Sequence, residues 1–207
     1  MKFRVLAAFV SLAAWPSPAQ QDGAGINSGP VQDEYAVYDL QAPETASFKT
    51  VYEVAFTTAG ATVFHDGIGA GLTTAPAAGD GVVDLMSGLP LKYTVSATAV
   101  DVQLARPVPA DGGQARLRIS KTYKDAKNYR REGDVLVFDR PVPIRHAAII
   151  LPAGYQLTEC NVPSQVLADP DGRIRVSFMY QAPGAPARSC SRRSRARSPA
   201  TPRSRGR

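Results

Sequence analysis

From Glu34 to Tyr180 apolar residues recur at every second position, in short runs cut by Gly and Pro. A period of two sends alternate side chains to opposite faces of an extended chain, so this body reads as half-buried strands. Tyr35, Val37 and Asp39 alternate with Ala36, Tyr38 and Leu40. Phe48, Thr50, Tyr52, Val54, Phe56 and Thr58 share one face of a second strand, whose other face carries Lys49, Glu53 and Thr57. Leu89, Leu91, Tyr93, Val95 and Ala97 form another row after a Ser87-Gly88 turn. Val100, Val102 and Leu104 lead through Pro107, Pro109 and an Asp111-Gly112-Gly113 turn into Leu117, Ile119 and Lys121, which reads as a hairpin with a long arm.

The second half continues the style. Val135 to Phe138 and His146 to Leu151 are nearly continuous apolar runs, suited to central strands buried on both faces. Tyr155 to Asn161 comes after a Pro152-Ala153-Gly154 turn, and Asp169-Pro170-Asp171-Gly172 is a turn by its residue chemistry. Ile174, Val176, Phe178 and Tyr180 alternate with Arg173, Arg175 and Ser177. No window has a convincing helical period; Lys124 to Arg131 is the best place for one or two helical turns. Roughly nine strands with turn signals between them predict an all-β domain over residues 34–183, an antiparallel β-sandwich or β-saddle. Gly67 to Gly81 is a Gly/Ala/Thr loop without periodicity, read as a variable insertion or as a functional excursion.

The two ends differ from this body. Residues 1–19 read as a signal peptide: Lys2 and Arg4 precede the apolar stretch Val5 to Trp15, and Ser17 and Ala19 stand at −3 and −1 of a cleavage site before Gln20. The stretch is about half the ~20 residues a membrane span requires, so no transmembrane span is expected. The expected location is periplasmic or extracellular. Residues 20–33 form a Gly-, Gln-, Asp- and Asn-rich flexible linker. Residues 184–207 form an Arg/Ser/Pro-rich tail without a large apolar residue, expected to be disordered.

That tail decides what the net charge of +6 means. Arg188 to Arg207 holds eight Arg and no acid, and residues 1–19 hold Lys2 and Arg4 and no acid. Without those ten cations, fourteen remain against all eighteen acids, so the body is −4 and no specific nucleic-acid binding is expected. Three readings of the tail stand: a basic arm for polyanions, a solvated linker, or a frameshift product. Arg, Ser, Pro, Ala and Gly are what GC-rich codons yield out of frame. On that reading a final strand has been replaced and the sheet keeps an unpaired edge. Cys160 and Cys190 are the only cysteines, too few for a disulfide scaffold, although a bridge between them would tie the tail to the body.

Recognisable catalytic signatures are absent. Neither histidine belongs to H-E-x-x-H, no Cys/His cluster offers four zinc ligands, and there is no G-x-S-x-G elbow or phosphate-cradling Gly loop with Lys. A Ser-His-Asp triad stays open, because its members need not be neighbours in sequence. His146, at the edge of an apolar run, and His65-Asp66, at a strand end, are weak candidates for a surface site; each also reads as a structural residue. Asp169-x-Asp171-Gly172 is similar to the opening of a calcium loop, but the distal ligands are missing. Tyr35, Tyr38, Tyr52, Phe56, Tyr93 and Tyr123 form either a sugar-stacking face or the core. No catalytic, cofactor-binding or metal-binding residue is assigned, and no cofactor is expected.

The segment Val82 to Tyr93, VVDLMSGLPLKY, resembles a strand–turn–strand unit in the N-terminal β-domain of aminopeptidase N-like metallopeptidases. Val102 to Tyr123, an apolar strand, a Pro-rich hairpin and a second strand ending in Lys121-Thr122-Tyr123, resembles the next unit of that domain. Leu151 to Tyr155 and Asp171 to Arg173 resemble stretches of uncharacterised secreted bacterial proteins. The resemblance covers about Tyr35 to Tyr180. It implies architecture only, a β-saddle of the kind that packs beside a catalytic domain, since the zinc helix and glutamate base of that family have no counterpart here. The chain thus reads as a secreted, non-catalytic β-sandwich module with a binding or accessory role, its partner a protein or polysaccharide at the cell surface. Truncation from a longer exported protein is one account of the C-terminus. Two alternatives stand beside it: a small secreted hydrolase using His146 or His65, and a polyanion binder acting through the tail.

Overall fold

A computed structural model describes residues 33–73, 76 and 81–179, with backbone alone at 31–32, 74 and 190–196. The expected signal peptide of 1–19, most of the expected 20–33 linker, Tyr180 and the rest of the tail lie outside the described residues. The chain is built from strands β1 (Val31–Leu40), β2 (Ser47–Phe56), β3 (Val63–Gly67), β4 (Leu72–Thr74) and β5 (Val82–Asp84). They are followed by β6 (Tyr93–Val95), β7 (Ala99–Gln103), β8 (Ala115–Lys124), β9 (Tyr129–Glu132) and β10 (Val135–Arg140). The last are β11 (His146–Ile150), β12 (Tyr155–Cys160), β13 (Gln165–Ala168), β14 (Ile174–Met179) and β15 (Cys190–Ala196). The one short helix among the described residues is a 3-10 turn at Pro43–Thr45.

Three open sheets result. The largest runs β13-β14-β11-β1-β2-β8-β4, with β5 also paired to β8. A second runs β12-β15-β10-β9 and a third β3-β7-β6. Pairing is antiparallel except for β1 against β11, which is parallel and sets Tyr35 opposite His146. The period-two rows fall where the sequence places them: Ala36, Tyr38 and Leu40 of β1 are buried, as are Phe48, Thr50, Tyr52, Val54 and Phe56 of β2. β11 is buried at four successive positions, as its continuous apolar run requires between two neighbours.

The β2 row explains the layering. At one end Phe48 meets Phe138 of β10, ring centroids 5.4 Å apart. At the other end Phe56 meets Phe64 of β3 at 5.1 Å. The two small sheets therefore cover one face of the large sheet side by side. Tyr38 and Tyr129 complete the Phe138 contact, at 5.9 Å and 6.1 Å.

Three expectations are corrected. The long-armed hairpin does not form: β7 pairs with β3 and β6, whereas β8 pairs with β2, β4 and β5. The Pro-rich connection crosses from one layer to the other, and it is pinned by Val108 N–H donating to Ala61 O (3.0 Å) and Gly60 N–H donating to Val108 O (2.8 Å). The row from Leu89 to Ala97 gives only the three-residue β6, because Leu91 N–H turns back to Val82 O (2.9 Å) and leaves Leu89 exposed. Lys124 to Arg131 has no helix. Asp125 O accepts from Tyr129 N–H (2.8 Å), a single turn, and β9 then begins. Within residues 184–207, Cys190–Ala196 forms a strand, β15, which lies between β10 and β12. Main-chain hydrogen bonds are indifferent to side-chain polarity, so two facing strand edges accept this Arg/Ser segment. The register sets Cys160 opposite Arg192 and Cys190 opposite Arg140.

Candidate functional site

Between the two aromatic contacts of β2, Thr50 and Tyr52 face the seam where the two small sheets meet the large one. A cavity of about 350 Å³ lies there. Phe48, Tyr52 and Tyr123 supply its apolar walls, and the small residues Ala36, Gly69 and Ala70 leave the space open. It opens to solvent at the exposed Ala70, and its size falls within the ~300–1,000 Å³ range of small-molecule pockets.

Two ion pairs border it. Asp66 of β3 points inward and its Oδ2 lies 2.7 Å from Lys121 Nζ of β8, with both side chains almost wholly buried (7% and 5% exposed). Lys121 Nζ, which has three N–H donors, also directs a hydrogen bond to Gly67 O at 3.1 Å. Asp66 Oδ2 therefore meets Lys121 alone and keeps lone pairs to spare. Burial pushes the Asp66 carboxyl above its ordinary value, outweighing the Lys121 ammonium that pulls it down. The second pair joins Arg140 Nη1 to Asp125 Oδ2 at 2.6 Å. Burial raises the Asp125 carboxyl, but hydrogen bonds from the Asn128 side chain and backbone, and from Arg140, outweigh it and hold it below the ordinary range. The Arg140 guanidinium also lies over the Phe48 and Tyr123 rings, 5.2 Å and 5.5 Å from their centroids.

Two further hydroxyls matter. Thr50 Oγ1 is buried and has no hydrogen-bond partner. The Tyr38 phenol is pushed up to about 12, chiefly by burial, so it stays a neutral donor at physiological pH. The cavity thus combines mostly apolar walls, two internally neutralised ion pairs and unmet hydrogen-bonding capacity. Its charged groups are committed to each other.

The candidates from sequence separate. Asp66 lines the cavity, whereas His65, its neighbour, points to the opposite face of β3, exposed and 2.7 Å from Asp101 Oδ1 through Nδ1. His146 is exposed in another sheet, its ring 4.7 Å from that of Tyr35. Tyr38, Tyr52, Phe56 and Tyr123 are core residues; Tyr93 donates its hydroxyl to Pro76 O at 2.6 Å. The Asp169–Gly172 turn closes through Gly172 N–H to Asp169 O (2.8 Å), and its carboxylates are taken by Arg173 and Arg175. Among the described residues no three His, Cys, Asp or Glu side chains converge as metal ligands. Thr50, Lys121 and Arg140 do not stand out as site residues from sequence motifs. For two of them a signal is present all the same, because Thr50 and Lys121 occupy apolar phases of their strands.

No protein-family model matches the sequence, and neither does any curated protein. Solved structures do. The M1 zinc metallopeptidase of Deinococcus radiodurans is similar at a TM-score of 0.55 and 14% identity, over 83% of this chain and 43% of that one. A mutant of that enzyme bound to a Tyr-Ser-Ala substrate gives 0.53 and 13%, over 80% and 42%. A two-domain M1 zinc metallopeptidase mutant bound to L-tryptophan gives 0.56 and 14%, over 83% and 44%. The architecture resembles that of the N-terminal domain of M1 metallopeptidases. At this identity the likeness is one of fold alone, and the chain spans less than half the length of those proteins.

Proposed function

We propose that the chain is an exported, non-catalytic β-module that works by contact with a partner at the cell surface, a protein or a polysaccharide. One observation carries this reading. The likeness extends over most of this chain but under half of the peptidase chain, the part corresponding to a non-catalytic N-terminal domain. The separation of His65, Asp66 and His146 supports it, since no two of them meet to share a proton. Export rests on Lys2, Arg4, the apolar run and the small residues before Gln20.

The test is expression of the full chain in a bacterial host, with fractionation and N-terminal sequencing of the product. The expected product begins at Gln20 and is found in the periplasm or medium; an uncut chain retained in the cytosol overturns the export step. A broad hydrolase panel is then run on the purified protein beside His65→Ala and His146→Ala. Turnover that disappears in either variant overturns the non-catalytic reading.

A further inference from the structure

The cavity at the seam has features that a contact module does not need. A module that works only through its outer surface gains nothing from an open space against its main sheet. Small side chains at Ala36 and Gly69 keep this space open beside the sheet. Thr50 Oγ1 is buried without a hydrogen-bond partner, and Asp66 Oδ2 is buried with Lys121 as its one neighbour of opposite charge.

We propose that this cavity is a binding site for a small neutral molecule with a flat apolar body and a single hydrogen-bond donor. The size comes from the volume: about 350 Å³ is the space of about ten water molecules at ~30 Å³ each, so the body is of one or two rings. The apolar body comes from the walls, where the Phe48 and Tyr123 rings stack at 5.7 Å and Tyr52 flanks them. The donor comes from the two buried oxygens, because the Asp66 carboxylate is acceptor-only when ionised and has lone pairs beyond those that meet Lys121, and Thr50 Oγ1 has lone pairs to offer.

Neutrality is set by the charges. Lys121 already answers Asp66 and Asp125 already answers Arg140, so an ionised guest would leave its own charge uncompensated against mostly apolar walls. Water alone would satisfy the two polar atoms but would lie against mostly apolar walls. Entry is from the side where Ala70 is exposed. This site is independent of the contact role, since a module that holds nothing inside still contacts its partner. Failure here leaves that proposal standing.

The test is an NMR titration of the full-length protein with three probes that share one body. Indole carries the donor, 1-methylindole lacks it, and indole-3-carboxylate is ionised. Indole is expected to bind at least tenfold tighter than either of the others and to move the amide signals of Thr50, Asp66 and Lys121. Ala70→Trp, a change at the exposed rim, is expected to abolish this while leaving the remaining spectrum intact. Thr50→Val tests the interior with an isosteric change and is expected to narrow the gap between indole and 1-methylindole. Absence of indole binding at millimolar concentration overturns the proposal. So does indole binding that survives Ala70→Trp. Equal affinity for all three probes overturns the assigned class.

Discussion

Replacing Lys121 by Met tests the physics on which the cavity depends. The Asp66 and Lys121 side chains are 7% and 5% exposed and their charged atoms are 2.7 Å apart. At an effective dielectric of about 20 their attraction is about 6 kcal/mol. Removing two ions from water costs several kcal/mol each, so the intact pair comes close to breaking even. The single variant keeps one desolvation cost and loses the attraction. Lys121→Met is therefore expected to destabilise the fold by about 3–5 kcal/mol. For a chain of this size that lowers Tm by roughly 6–20 °C. The double variant Asp66→Leu/Lys121→Met buries no charge and is expected to recover wild-type stability or exceed it by about 1–4 kcal/mol.

The pH dependence has a definite sign. Asp66 has a folded value raised above its ordinary 3.8, so its favourable contribution is present in full below that value and is lost as pH rises through the folded one. Without Lys121 the folded value rises further. The deficit of Lys121→Met is therefore expected to shrink on acidification. Urea denaturation of the wild type and the variants Lys121→Met, Asp66→Leu and Asp66→Leu/Lys121→Met across pH provides the measurement. A cost below about 1 kcal/mol at pH 7, or a double variant no better than Lys121→Met, would refute the reasoning.

Other residues give shorter tests. Phe138→Ala removes a side chain that is 1% exposed and touches three other rings, so a loss of about 3–5 kcal/mol is expected by denaturant titration. Gly71→Ala places a Cβ 2.5 Å from Lys124 O at a backbone φ of +87°, whereas Gly88→Ala meets open space at φ +73°; the first is expected to lower Tm clearly more than the second. Asp125→Asn tests the depressed carboxylate. Its deficit against wild type is expected in full above pH 3.8 and to close as pH falls through the lower folded value, read by thermal melts. Arg193→Pro, in the strand flanked on both sides, is expected to lower Tm, because proline removes a ladder donor from a central strand; a Tm equal to that of wild type would show that β15 adds nothing to stability.

The strands were legible because burial on one face imposes a period of two, and β2 shows this from Phe48 to Val54, with Ala55 then buried off the phase. Their partners were not. Pairing is fixed by hydrogen bonds between segments distant in sequence, so β7 and β8 looked like two arms of one hairpin while belonging to different layers. Exposure misled in the same way: Leu89 keeps the alternating phase but is 64% exposed. β15 gave no apolar signal because its place is specified by main-chain edges on either side.

The cavity was half legible. A polar residue in an apolar phase is an anomaly that a strand pattern exposes. Thr50 in the row of Phe48 and Tyr52, and Lys121 in the row of Leu117 and Ile119, are two such anomalies in neighbouring strands. Their register pairs them directly, Thr50 opposite Lys121. A single misplaced polar side chain reads as a tolerated defect. Two that face each other across a ladder, with a third, Asp66, brought in from another sheet, require a polar interior, and only the pairing of β2 with β8 and the packing of β3 above them bring the three together. The function of such a fold is better sought where its sheets fail to close on each other than in its histidines, which the same geometry sends outward to solvent.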